Sequence, residues 1–397
     1  MNSSKKNKPK LLMLVSRFPF PLDKGDKLRA FYQIKEMSDF FDITLIALSE
    51  REVSKNNFNQ VKIFCDKIII CKLTLFSKIF HISRSIINGN PFQIGFFYSY
   101  RAQKKINSII KENNFKYIYC QLVRTSEYVK NHHEIPKALD YMDALSIGAK
   151  RRIKKEPFYK KWIFKLENER LIRYEKLIFD FFEIKTIISE QDQKLIHHPE
   201  NNKIICIPNG IDDFFFKPIQ IKKDHDFVFI GNMSYAPNIQ AVKYIYKNIL
   251  PKFPKSKLLI SGASPHKSII RLTKKSNQIT LIGWVDDIRK SYYRGKLFLA
   301  PMIIGSGMQN KILEAMAIGI PCVTTPLVNN AIKAKQNKEI FEVNSINEFN
   351  KVISKLLKDP KLQKTIGENG KMYVKKNYTW TESTSILINL MKEDYTN

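Results

Sequence analysis

At 397 residues and 44% apolar content, the chain is long enough to bury two cores, so two domains of ordinary size are expected. Its formal charge of +30 is spread evenly, with 37 Lys/Arg against 22 Asp/Glu in residues 1–200 and 30 against 15 in 201–397. That spread excludes a dedicated basic tail, and no recognisable nucleic-acid motif or aromatic platform appears, so nucleic acid is not an expected partner; a general attraction to anionic surfaces and substrates remains.

Met1–Lys10 is polar and basic, and the apolar run behind it, Leu11–Val15, is too short for a signal-peptide core. No stretch approaches the roughly 20 apolar residues of a membrane-spanning helix. The five cysteines are scattered without a C-x-x-C pair, which argues for a reducing compartment and against a structural zinc site. A cytoplasmic protein is expected, with room for peripheral contact at the inner face of the plasma membrane.

The first half alternates strands and helices. Leu11–Ser16 reads as a strand, followed by a loop holding Pro19, Pro21 and Gly25, a helix from about Leu28 to Met37, and a second strand over Asp42–Leu48. Val61–Cys71 reads as a third strand, Phe76–Asn88 and Tyr98–Lys111 as helices, and Lys116–Gln121 as a strand delivering Gln121, Arg124 and Glu127 to its C-terminal end. Ala138–Asp143 is strand-like and carries two carboxylates. Ligands of open α/β sheets sit at the C-terminal ends of the strands, which makes Arg124 and Asp143 candidates for an acceptor or catalytic surface. Residues 150–165 hold eight Lys/Arg against Glu156 alone, interleaved with Phe158, Tyr159, Trp162 and Phe164, the composition of a peripheral contact with anionic lipid. The same pattern also suits a helix with aromatics in the core and lysines in water. Lys185–Ser189 closes this half as a strand.

Lys203–Asp212, with Pro208 and Asn209-Gly210, forms a defined turn, and the strand–helix pattern restarts at Asp226–Gly231. A helix is expected to about Ile249, then strands at Lys257–Gly262 and Gln278–Gly283, and a short helix after Trp284 ending near Arg294; Trp284 suits a half-buried core position. Leu297–Pro301 reads as a buried strand. Gly305-Ser306-Gly307 then opens a loop, a helix begins near Met308, Gly319 and Pro321 stop it, and Cys322–Thr325 is the next strand. Strand, glycine loop, helix and strand make a βαβ unit whose helix start favours an anion, because unpaired N–H groups and the positive dipole end converge there. Lys311 adds a full charge for a phosphate, and Glu314, three residues on, could accept from ribose hydroxyls. An ordinary amphipathic helix with a Lys/Glu surface pair would give the same pattern. A last strand at Ile340–Val343, helices over Ile346–Lys358 and Pro360–Val374, and a final helix over Thr381–Glu393 complete the chain.

Gly307, Lys311, Glu314, Ala315, Met316, Ala317, Gly319 and Pro321 reproduce the pattern G-x-x-x-K-x-x-E-A-M-A-x-G-x-P. In this the chain resembles family 4 glycosyltransferases of the GT-B type. The loop from Arg17 to Arg29 is similar to the entry of that group, and Ile207–Asp212 to the run that joins its two domains. The resemblance implies an α/β fold of two Rossmann-like, doubly wound domains facing across a cleft, the C-terminal helix returning to the first. It places an acceptor-side domain over 1–205 with 381–397 packing back, a linker over 206–223 and a donor domain over 224–380. It implies that Glu314 binds the donor ribose and Lys311 the diphosphate, that Gly25 and Gly231 allow close approach, that Arg29 neutralises charge near Gly25, and that the Val285 backbone meets the nucleobase. Gly305, Ser306, Gly307 and Met308 would line the donor, with Ser306 standing where many members carry a glutamate on the sugar. The implied activity is retaining, metal-independent hexosyl transfer from a nucleotide-diphosphate sugar, UDP- or GDP-linked and bound as substrate with no resident cofactor. The implied acceptor is a glycan or lipid-linked precursor of a surface polysaccharide. Two alternatives share the fold: a nucleotide-sugar epimerase and a non-catalytic GT-B subunit.

Overall fold

Along the first strand, Leu12 and Leu14 face one core while Leu11, Met13 and Val15 face another, the period-2 alternation of a sheet buried on both sides. The computed structural model describes residues 8–153, 157–303 and 308–393. It divides into two compact units, one running to Pro208 and resuming at Ser383, the other spanning Asn209–Glu382.

In the first unit β1 (Lys10–Val15), β2 (Asp42–Ser49), β3 (Lys67–Lys72), β4 (Tyr117–Gln121), β5 (Lys137–Asp140), β6 (Ile184–Ile187) and β7 (Ile205–Cys206) form a parallel sheet ordered β3-β2-β1-β4-β5-β6-β7. In the second, β8 (His225–Ile230), β9 (Leu258–Ser261), β10 (Ile279–Ile282), β11 (Gly295–Ala300), β12 (Cys322–Thr324) and β13 (Phe341–Glu342) are ordered β10-β9-β8-β11-β12-β13, again parallel. Both are doubly wound. Each sheet reverses its order once, between β1 and β4 and between β8 and β11, and such switch points are where open α/β sheets bind ligands. The helix Trp380–Glu393 buries Leu387, Ile388 and Met391 in the first unit's core.

Two positions differ from expectation, and one open alternative is decided. The third strand starts at Lys67 rather than Val61, because Lys55–Lys62 is a helix whose Asn57 N–H donates to the Ser54 hydroxyl at 3.3 Å. Leu145–Ile153 and Phe158–Phe179 are helices, the second opening directly after Pro157. In that second helix Phe158, Tyr159 and Trp162 face solvent rather than core. Trp284, expected to be half-buried, is 72% exposed.

Candidate functional site

Gly231, just past β8, has φ of +153°, and a Cβ there would lie 2.6 Å from the Asn238 amide nitrogen. Gly262, just past β9, has φ of +138°, and its Cβ would meet the Gly231 carbonyl oxygen at 1.9 Å. Both positions have the positive φ that favours glycine, and at Gly262 a side chain would also enter the Gly231 backbone. The close approach at Gly231 is thus to the protein's own Gly262 and Asn238. Asn238 is buried; its amide donates to the Asn232 carbonyl at 2.9 Å, leaving its oxygen to accept from Lys311 Nζ.

Lys311 projects from the first turn of the helix Asn310–Ile318, which follows β11 across the switch point from Gly231. Its ammonium lies 5.2 Å from the Phe229 ring centre. Burial pulls its pKa down to about 8, opposed by the Glu314 carboxylate. Burial pushes Glu314 up, while a hydrogen bond from Tyr292 and the charge of Lys311 pull it down. The Tyr292 hydroxyl, fully buried, donates to Glu314 Oε2 at 2.7 Å and lies 2.9 Å from the Lys311 carbonyl oxygen. The pair is therefore not an ordinary exposed Lys/Glu couple. Both groups are half-buried and held by partners from other elements, Asn238 and Tyr292, neither of which the sequence singles out. A seven-residue spacing from Gly231 is the one signal for Asn238, and it is weak.

Gly305, Ser306 and Gly307 lie outside the described residues. Met308 packs half-buried against the second unit's core, and Val285 is half-buried in the loop after β10.

The first unit assembles a separate charged group at its own switch point. Arg17, after β1, pairs with Asp26, and Gln121 at the end of β4 donates to the Asp26 carbonyl at 3.0 Å. Gly25 opens the helix Gly25–Met37 with open space where a Cβ would stand. Arg124 donates from Nη2 to Gln93 Oε1 at 2.6 Å, and its guanidinium lies 4.9 Å from the Phe97 ring centre, with that of Arg17 at 5.6 Å. Burial first, then the neighbouring Arg17, pulls the Arg124 pKa down to about 10; Asp26, Asp143 and Glu167 oppose it. The structure thus brings Arg124 and exposed Asp143 within electrostatic reach of each other. Leu122 and Met142, just before them, have φ of +65° and +61°, unusual for side-chain-bearing residues and typical of functional strand ends. Arg124 also borders a cavity of about 310 Å³ with Phe92, Leu145, Arg152, Phe164 and Glu167.

Arg29 requires correction. It does not reach the Gly25 loop surface: its side chain is 0% exposed and forms an ion pair with Asp140 inside the first unit. Gln33 and Tyr119 donate to the same carboxylate oxygen, at 3.4 and 2.9 Å. A guanidinium enclosed this way has no surface to offer a ligand.

Two doubly wound parallel sheets, one with a lysine and a carboxylate fixed at a helix start beside its switch point, define a two-domain protein of the doubly wound α/β class. Residues 224–359 match the family model described as glycosyl transferases group 1. The second unit carries that domain, and the fold of the chain is that of the GT-B glycosyltransferases.

A Klebsiella pneumoniae protein described as an uncharacterized 44.6 kDa protein in the cps region is 22% identical over 97% of this chain and 100% of its own length. The Escherichia coli UDP-Gal:alpha-D-GlcNAc-diphosphoundecaprenol alpha-1,3-galactosyltransferase is 29% identical over 37% of this chain and 43% of its own. Among solved structures, Anabaena Alr3699/HepE in complex with UDP-glucose superposes with a TM-score of 0.68 at 11% identity, covering 97% of this chain and 100% of that one.

Proposed function

We propose that the chain is a retaining hexosyltransferase that takes a nucleotide-diphosphate sugar, UDP- or GDP-linked, on its second unit and a glycan or lipid-linked acceptor on its first, in surface polysaccharide biosynthesis. The observation that carries this reading is the fixed pair at the start of the helix Asn310–Ile318: Lys311 held by Asn238 and Glu314 held by Tyr292. A diphosphate at that helix start would meet the N-terminal N–H groups and an ammonium, while an oriented carboxylate is suited to ribose hydroxyls. The polysaccharide setting is supported by the relatives, one encoded in a cps region and one acting on a diphosphoundecaprenol-linked sugar.

In the reaction the anomeric carbon–oxygen bond to the diphosphate breaks and a bond to the acceptor oxygen forms on the same face, the acceptor proton passing to the departing diphosphate. Lys311 and the helix start offset the charge that grows on the leaving group, where fixed positive charge lowers the barrier most. Arg124 and Asp143 serve the acceptor side.

The test is a calorimetric screen of the full chain and its Lys311→Ala variant against UDP, GDP, ADP and dTDP. One diphosphate, UDP or GDP, should bind the wild type and bind the variant at least about tenfold more weakly. Absence of binding by all four would overturn the reading. Conversion of the sugar nucleotide to its epimer without transfer would replace it with an epimerase.

A further inference from the structure

The helix Leu75–Asn88 is amphipathic in the opposite sense to a helix packed on a sheet. Its buried residues are Lys78, His81 and Ser85, which share one face. Each is accommodated there by a polar or aromatic partner. Lys78 Nζ donates to Glu50 Oε2 at 2.6 Å, the His81 ring stands edge-on to Tyr98 with centres 4.9 Å apart, and the Ser85 hydroxyl donates to the His81 carbonyl at 2.9 Å. Outward, Leu75, Phe76, Ile79, Phe80, Ile86 and Ile87 are each more than half exposed, Phe76 at 81% and Ile87 at 85%. At 3.6 residues per turn these six fall within an arc of about 140°. Apolar burial is the main favourable term in folding, so a contiguous apolar face of this size left in water marks a surface with a partner.

Charge selects the partner. Between Asp66 and Glu112 the sequence has eight Lys/Arg and no acidic residue. Arg84 is exposed on this helix. The helix Phe158–Phe179 begins with exposed Phe158, Tyr159 and Trp162 among exposed Lys160, Lys161 and Lys165. The two helices are joined: Arg170 donates to the carbonyls of Ser85 and Ile86 at 2.8 and 3.2 Å. Glu167 accepts from the Phe92 and Gln93 N–H groups at 2.6 and 3.0 Å. Amphipathic aromatics beside lysines suit the boundary between water and anionic headgroups. A second copy would bring exposed Arg84, Lys160, Lys161 and Lys165 towards their own counterparts, which repel. No helix among the described residues is long and apolar enough to cross a membrane, so the contact is lateral.

We propose that the helix Leu75–Asn88 lies in the plane of an anionic phospholipid bilayer, its outward apolar face at the headgroup–acyl boundary and the start of the helix Phe158–Phe179 as a second contact. This holds whichever donor the second unit takes. The test is co-sedimentation of the full chain with vesicles of phosphatidylglycerol and phosphatidylcholine, and with phosphatidylcholine alone, for the wild type and a Phe76→Ser/Ile87→Ser double variant. The wild type should pellet with the anionic vesicles, less so as salt rises, and the double variant should partition at least about tenfold more weakly. Both side chains already stand in water, so thermal unfolding should be unchanged. Wild type left in the supernatant, equal binding to the neutral vesicles, or equal pelleting of the variant would overturn the proposal. So would a dimer in light scattering that the double variant dissolves, which would assign the face to a second copy.

Discussion

Arg29 and Asp140 form an ion pair with 0% exposure on either side chain, between the first helix and the end of β5. The other carboxylate oxygen of Asp140 accepts from the Met142 N–H at 3.0 Å, and its carbonyl accepts from the Leu122 N–H at 2.7 Å. Leu122 and Met142 are the two left-handed residues that precede Arg124 and Asp143. Asp140 therefore ties down the backbone from which half-buried Arg124 and exposed Asp143 emerge.

Removing one partner leaves the other charged and buried. Arg29→Met or Asp140→Ala should each lower the unfolding free energy by about 3–5 kcal/mol. The double variant should fall well short of the sum, since the two substitutions remove one shared interaction. Urea unfolding of the three variants measures this, and additive losses would show that the two residues act separately.

Lys311 gives a pH signature. Its pKa in the fold is about 8, against 10.5 in an open chain. Below about 8 both states carry the proton; between about 8 and 10.5 the unfolded chain holds it and the folded chain does not. Unfolding then takes up a proton, so stability contributed at this position rises with pH across that window. Wild type should gain melting temperature relative to Lys311→Met as pH increases from about 8 to about 10. A bound diphosphate favours the ammonium, so nucleotide affinity should fall over the same range. Affinity indifferent to pH there would separate Lys311 from the phosphate.

Much of the architecture was legible because buried parallel strands are continuous apolar runs, as in Leu11–Val15, Phe227–Ile230 and Leu297–Ala300. The helix carrying Lys311 was legible for a local reason: Gly319 ends it in the left-handed conformation, with φ of +88°. What escaped was non-local. Arg29 looks like a loop-side charge until the fold brings it to Asp140, 111 residues away. Asn238 and Tyr292 are common residue types whose importance comes from which strand ends meet. The helix at 75–88 was read as a helix without a statement of which face turns inward, since its buried polar side depends on Glu50 and Tyr98 from other elements.

Glu314→Ala tests the ribose contact. Alanine is the best helix former, and Tyr292 keeps its contact with the Lys311 carbonyl, so the fold should survive. Use of the nucleotide sugar should weaken by roughly tenfold or more in kcat/KM. Turnover unchanged in a folded variant would remove Glu314 from the donor site.

Arg124 separates the acceptor side from the donor side. Its guanidinium is shared between Gln93 and the Phe97 ring, with Asp143 close enough to raise its pKa. At about 10 that pKa keeps it cationic at neutral pH, so it can meet an acceptor's hydroxyl or phosphate with a full charge. Loss of one charge-assisted hydrogen bond is worth about 1.5–3 kcal/mol, so Arg124→Ala should raise the acceptor KM by about tenfold or more. Nucleotide affinity, which the proposed function assigns to the second unit, should stay as it is. Arg124→Lys should restore only part of the loss, since an ammonium cannot span Gln93 and an acceptor with the same planar fork. Acceptor KM and nucleotide affinity measured on the same preparations decide it: parallel losses in both would make Arg124 a structural residue, while a loss confined to the acceptor places it in the acceptor site.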